Sequence, residues 1–124
     1  ARLATADSRG HPHVVPVWFS WDGEAIWISS FAGTRKVTEL EKNPWVSIAI
    51  DVADDSGPTR AAILEGRAEL VKEPRELVRK QATWIYTRYL GEDGVLEKEP
   101  QSWIEDPLNL LIRLIPDHIS SWQY

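Results

Sequence analysis

Arg35 and Lys36 stand side by side directly after Gly33-Thr34, at the start of a segment that reads as a short helix. The positive end of a helix dipole disfavours cations by about 0.3–1 kcal/mol each. Two cations set against that field are accounted for if an anion occupies the same spot. Unpaired backbone N–H groups at a helix start, the Thr34 hydroxyl, a forked guanidinium and a compact ammonium together match a phosphate group. The bland alternative is that both side chains bend away into solvent, as exposed Arg-Lys pairs commonly do.

Other constellations carry less chemistry. His11 and His13 alternate along a strand and could offer two metal ligands, but the remaining histidine, His118, lies at the far end of the chain. A solvated strand end is the simpler reading, so no metal site is assigned. Asp51, Asp54 and Asp55 precede Gly57 without the alternation of a calcium loop, and read as a polar hairpin tip. No Gly-x-Ser-x-Gly elbow marks a serine nucleophile. Cysteine is absent, which removes disulfides, thiolate nucleophiles and zinc–thiolate centres. No residue stands out as a general acid. The stripe Trp84-Ile85-Tyr86 and Tyr89 has helical spacing and reads as core or dimer contact. Trp18, Trp21 and Trp27 read as cross-strand aromatic pairs on a hairpin.

These residues must be positioned by strands and a few helices. Residues 1–5 read as a strand ending at Asp7-Ser8-Arg9-Gly10, and residues 13–21 alternate as a second, with Pro16 marking an edge or a bulge. Asp22-Gly23 is a strong hairpin signal, and residues 25–30 return with Ile26 and Ile28 facing away from Trp27. Residues 34–42 form a short helix that Thr34 can cap and Asn43-Pro44 stops. Strands follow over residues 45–52 and 60–71, with a turn at residues 54–58 between them. Pro74 opens a helix running to about Leu90, with Leu77, Val78, Ala82, Ile85, Tyr86 and Tyr89 on its apolar face and Gly91 as its stop. A last apolar strand covers residues 108–115 and ends at Pro116. About six strands with hairpin-type connections and no regular β-α-β alternation point to a mainly β, antiparallel barrel with added helices.

The 124 residues suit one domain, residues 1–124, with one hydrophobic core. The net charge of −5 argues against a nucleic-acid partner, because such binders need an excess of Lys and Arg to displace counterions. No apolar run approaches the ~20 residues of a membrane span, and no signal peptide is visible, which agrees with a cytoplasmic protein. The chain opens at Ala1 without methionine, as a processed or trimmed chain would. Seven tryptophans suit a small core, a subunit interface or an aromatic ligand.

Several motifs follow one another in order: Gly10-His11-Pro12-His13-Val14-Val15-Pro16-Val17-Trp18-Phe19, Ser29-Ser30, Thr34-Arg35-Lys36, Asn43-Pro44-Trp45-Val46-Ser47, Glu65-Gly66-Arg67-Ala68-Glu69-Leu70 and Arg113-Leu114-Ile115-Pro116 with Trp122. Over nearly the whole chain this series resembles the pyridoxamine 5'-phosphate oxidase-like split-barrel family, and most of all its small F420-dependent branch. The resemblance implies a six-stranded antiparallel split barrel that forms a homodimer, with FMN or coenzyme F420 in clefts between subunits. It implies that Val15, Pro16, Val17 and Trp18 line the cleft and that Ser29 and Ser30 touch the ribityl-phosphate region. Thr34, Arg35 and Lys36 then hold the phosphate, and Trp122 comes near the ring, reaching across the dimer. The implied activity is hydride transfer to or from a small organic substrate; a flavin carrier or sensor without turnover is the alternative.

The sequence also departs from the family. Ala61 stands where the oxidase proper has a glutamine, and nothing after Gln123 supplies its basic and histidine residues for the substrate phosphate. These differences imply a substrate other than pyridoxamine phosphate. Glu39 stands where an asparagine is usual, and Thr34 where the deazaflavin branch often has an additional arginine. The resemblance does not separate FMN from F420, which share a ribityl-phosphate handle.

Overall fold

The computed structural model describes residues 1–53, 57 and 59–123. Apart from Gly57, the turn expected at residues 54–58 lies outside the described residues. Strands β1 (Arg2–Ala6) and β2 (Pro12–Pro16) pair antiparallel. Their turn is held by the Asp7 carboxylate, which accepts the backbone N–H groups of Arg9 and His11 at 2.8 and 2.9 Å. β2 lies at the edge of the sheet, the place where Pro12 and Pro16 cost no ladder bond.

The single strand expected over residues 13–21 is in fact two. Val17 still donates its N–H to the Ala1 carbonyl at 2.9 Å, but residues 18–19 leave the ladder, and β3 (Ser20–Trp21) then pairs with β4 (Ile26–Phe31) across Asp22-Gly23. The break is possible because a helix supplies the missing partners. The Phe19 N–H donates to the Tyr89 hydroxyl, and Arg88 donates to the Phe19 carbonyl. The three hairpin tryptophans do not pair with one another as expected. Trp21 lies opposite Ile26, the Trp27 indole N–H donates to Asp22 at 2.8 Å, and Trp18 stacks on Tyr89.

Helix α1 (Arg35–Lys42) buries Val37, Glu39 and Leu40, and Thr34 is its N-cap residue by backbone position. Strands β5 (Trp45–Val52) and β6 (Arg60–Val71) keep the boundaries their turn signals imply. Helix α2 (Arg75–Gly94) is regular up to Gly91, where φ is 83° and the axis breaks. Helix α3 (Lys98–Glu105), unexpected from the sequence, precedes β7 (Asn109–Leu114). The chain also continues as a strand past Pro116, in β8 (His118–Gln123).

The sheet runs β2-β1-β5-β6-β7-β4-β3, with β8 also on β6. β5 covers β6 from Arg60 to Arg67. β8 pairs with Arg60 to Glu65 and β7 with Ala68 to Val71. Residues 115–117 of the β7–β8 run lie opposite residues 66–67 of β6, so the run is bulged rather than ended by Pro116, which has no N–H to give to the ladder. Gly66 faces this bulge: a Cβ there would come within 3.1 Å of the Asp117 backbone nitrogen and of Leu114 Cδ1. The eight strands among the described residues exceed the expected six because one strand is broken at Pro16 and another resumes after Pro116. The architecture remains a mainly antiparallel split barrel with helices added.

Alternation along β4 places the core. Ile26 and Ile28 join Leu3, Val37, Ile48, Ile112 and Leu114 inside the barrel, while Trp27 turns to Val78 and Ile85 of α2. A third cluster, Ala82, Tyr86, Val95 and Ile104, ties α2 to α3. Among the described residues no helix is long and apolar enough to cross a membrane.

Candidate functional site

A cavity of about 620 Å³ opens between the start of β1, residues 16–18, β4, α1 and α2. One wall is aromatic. Trp18 and Tyr89 stack with centroids 4.8 Å apart and planes 7° from parallel, and Tyr86 meets Trp18 edge-on at 5.9 Å. Trp18 belongs to the segment that α2 holds through Arg88 and Tyr89, so the helix fixes the wall. Beside it, Ser29 Oγ donates to Asn109 Oδ1 at 2.7 Å and lies 3.2 Å from the Tyr86 hydroxyl. Burial raises the phenol pKa of Tyr86, partly offset by the bond to Ser29.

Lys36 reaches the cavity from the first turn of α1 and is half-buried. Burial lowers its pKa, which is the expected response of an ammonium drawn out of water. Among the described residues no carboxylate forms an ion pair with it. Arg2 and Asp51, both well exposed, also line the cavity and pair at 2.9 Å.

Arg35 is directed elsewhere. Its Nε donates to Glu39 Oε1 at 2.8 Å, one turn along α1. Glu39 is only 7% exposed and also accepts the Thr5 hydroxyl. The Thr5 bond first, and then Arg35, hold its carboxyl below the usual range. The Thr34 hydroxyl does not cap the helix; it donates to the Phe31 carbonyl at 3.0 Å and lies 3.4 Å from Ser30 Oγ.

Of the residues singled out in the sequence, Pro16, Val17, Trp18, Ser29 and Lys36 therefore share the cavity wall. Thr34 and Arg35 flank it without lining it, Ser30 is buried behind it, and Val15 packs on the barrel core. Trp122 lies on β8 opposite Ala61, beside a separate hollow that it shares with Ile50 and Val52. Sequence reasoning missed Tyr86 and Tyr89, assigning their stripe to core or dimer contact. Their three-residue spacing was the available signal. Arg2 and Asp51 gave none, since only the β1–β5 pairing brings them together. Among the described residues no group of three or more His, Asp or Glu could hold a metal ion.

The sequence profile of the pyridoxamine 5'-phosphate oxidase family matches residues 1–123, and the chain belongs to that family. Solved structures agree. The conserved hypothetical protein Rv2991 of Mycobacterium tuberculosis is 27% identical with a TM-score of 0.79, the match covering 98% of this chain and 75% of that one. An F420 reductase is 28% identical with a TM-score of 0.72, covering 96% and 86%. A FAD-binding protein of Mesorhizobium loti, 21% identical with a TM-score of 0.74 and coverage of 99% and 84%, shares the fold. No curated protein matches the chain.

Proposed function

We propose that the chain is one subunit of a homodimeric, cytoplasmic oxidoreductase that uses FMN or coenzyme F420 to move a hydride to or from a small organic substrate. The observation that carries this reading is Lys36, a half-buried ammonium without a carboxylate partner among the described residues, lining a 620 Å³ cavity together with Trp18, Tyr86 and Tyr89. That volume lies within the ~300–1,000 Å³ of small-molecule sites. The residues present suit such a cofactor: an ammonium for the phosphate, hydroxyls for the ribityl chain and an aromatic wall for the ring. Similarity to an F420 reductase at 28% identity supports the same class.

When bound, the cofactor would supply the hydride chemistry itself. The chain's own residues would anchor, orient and exclude water. Lys36 would hold the phosphate, with Arg35 and the free N–H groups at the start of α1 beside it. Ser29 would meet the ribityl hydroxyls, while Pro16, Val17 and Trp18 would shape the cleft. Ser30 and Thr34 would support that region from behind, and Val15 would fix the β2 end of it. Trp122 would approach the ring of the partner's site.

The test is a titration of the protein with FMN and with F420, followed by tryptophan quenching. Replacing both Arg35 and Lys36 by Ala should weaken binding by at least about tenfold, since the charge-assisted contact of Lys36 contributes ~1.5–3 kcal/mol. Unchanged binding in a folded double variant refutes the site. Reduction by NAD(P)H or a deazaflavin-reducing system, then reoxidation by an acceptor, identifies an enzyme; binding without turnover identifies a carrier.

A further inference from the structure

Two hydroxyls, those of Ser29 and Tyr86, meet at one corner of the cavity lining. A third residue sets the direction of the hydrogen bond between them. Asn109, 1% exposed, donates its side-chain amide to the Ile104 carbonyl at 3.3 Å, which turns Oδ1 toward Ser29. Ser29 has one hydroxyl hydrogen and places it on that oxygen at 2.7 Å. Toward Tyr86, 3.2 Å away, Ser29 Oγ can then only accept, so the Tyr86 hydrogen points at Ser29. Rings on either side hold the phenol in place, Trp18 edge-on at 5.9 Å and Trp103 at 5.6 Å.

The corner therefore offers lone pairs and no hydrogens. Lys36, on the same cavity lining, offers hydrogens only. A carbonyl or ether oxygen at the corner would set acceptor against acceptor, and an apolar group would leave buried acceptors unpaired. An O–H or N–H group satisfies them. The run from Tyr86 through Ser29 ends at an amide oxygen rather than at a titratable group, so it orients the phenol proton and does not replenish it.

We propose that Tyr86 is a specificity-determining residue that accepts a hydrogen bond from an O–H or N–H group of the bound molecule, with Asn109, acting through Ser29, as the positioning residue that fixes this polarity. Two sources carry such a group: the polyol chain of the cofactor and the small organic substrate. The first rests on the cofactor reading above; the second does not.

The parent and Tyr86→Phe are titrated with two pairs of probes, followed by chemical shifts. One pair is FMN and its analogue with an unsubstituted pentyl chain in place of the ribityl chain, or the same pair on a deazaflavin ring where only F420 binds. The other is phenol and anisole, added with and without cofactor. In each pair the first member has a hydrogen to donate and the second lacks it. Tyr86→Phe should weaken the donor of one pair by at least about fivefold and leave its counterpart within about twofold. Comparing the two members across the variant cancels their difference in size. A response in the FMN pair names the cofactor chain as the source, and one in the phenol pair names the substrate. A merely structural role for Tyr86 would move both members alike, so equal shifts, or none, in both pairs overturn the proposal. The infrared C–O band that Tyr86→Phe removes should report a donating phenol in the free parent, and a phenol that accepts from Ser29 overturns the proposal as well. Asn109→Leu frees the Ser29 hydrogen and should move that band; an unchanged band in the folded variant removes Asn109 from its role, and the parent's band decides where it does not fold. If neither flavin nor deazaflavin binds, the cofactor reading falls, while the phenol pair and the infrared band still decide the role of Tyr86.

Discussion

Lys36 and Glu39, three residues apart on α1, both have lowered pKa values, so each makes the fold more stable as pH rises, Glu39 in the acid range and Lys36 in the alkaline one. Burial lowers the Lys36 pKa, so the unfolded chain holds that proton more tightly than the folded one. The free protein should gain stability as pH rises through the interval between the lowered and the ordinary lysine pKa. Anion affinity should move the other way, falling as pH rises through the lowered pKa, because only the ammonium attracts phosphate. Binding titrations across alkaline pH check this, and Lys36→Arg, whose charge persists, should remove the fall. Glu39, held low by Thr5 and then Arg35, adds stability that is present above the ordinary carboxylate pKa and lost as pH falls through its own. Glu39→Gln should flatten that acid limb in urea titrations. The sequence revealed the Arg35-Lys36 pair but not its division of labour. A helix start places both side chains near one spot, yet Arg35 is held by Glu39, which is itself bonded to Thr5 of the distant strand β1.

Between β2 and β3, residues 17–19 have little ladder to hold them, and α2 takes over that task through Arg88 and Tyr89. Arg88→Ala should loosen the Trp18–Tyr89 wall and weaken cofactor binding by about tenfold, with only ~1 kcal/mol lost from stability. Binding and urea midpoints measured together would separate the two effects. At the β7–β8 bulge, Gly66→Ala would press a methyl group against the Asp117 backbone, and should cost about 1–3 kcal/mol by overpacking. Where local signals were strong, the elements were legible: β5 and β6 lie between turn residues, and α1 between Thr34 and Asn43-Pro44. β8 was hidden because Pro116 looks like a stop, whereas the ladder absorbs it as a bulge. α3 was hidden by its short span and by Pro100, which sits in its first turn. Periodicity showed that Tyr86 and Tyr89 share a face of α2; it could not show that the face borders a cavity.

At the scale of the whole molecule, the β8 side of the barrel exposes several large apolar side chains. Ile119 is 50% exposed, Val52 48% and Trp122 41%, all beside the hollow next to Ala61 and Ala62 or near it. Exposed apolar side chains of this kind would suit the dimer contact proposed above. Light scattering should find the parent as a dimer and Ile119→Glu as a folded monomer, and loss of cofactor binding in that variant would show that the cleft needs both subunits. The central strand has a consequence of its own. β6 carries β5 along one edge and, across the bulge, β8 and then β7 along the other. Neither half of the barrel can fray away without baring this strand's backbone. Its amide hydrogens should therefore exchange with heavy water only when the entire domain opens, and the protein should melt as a single cooperative block.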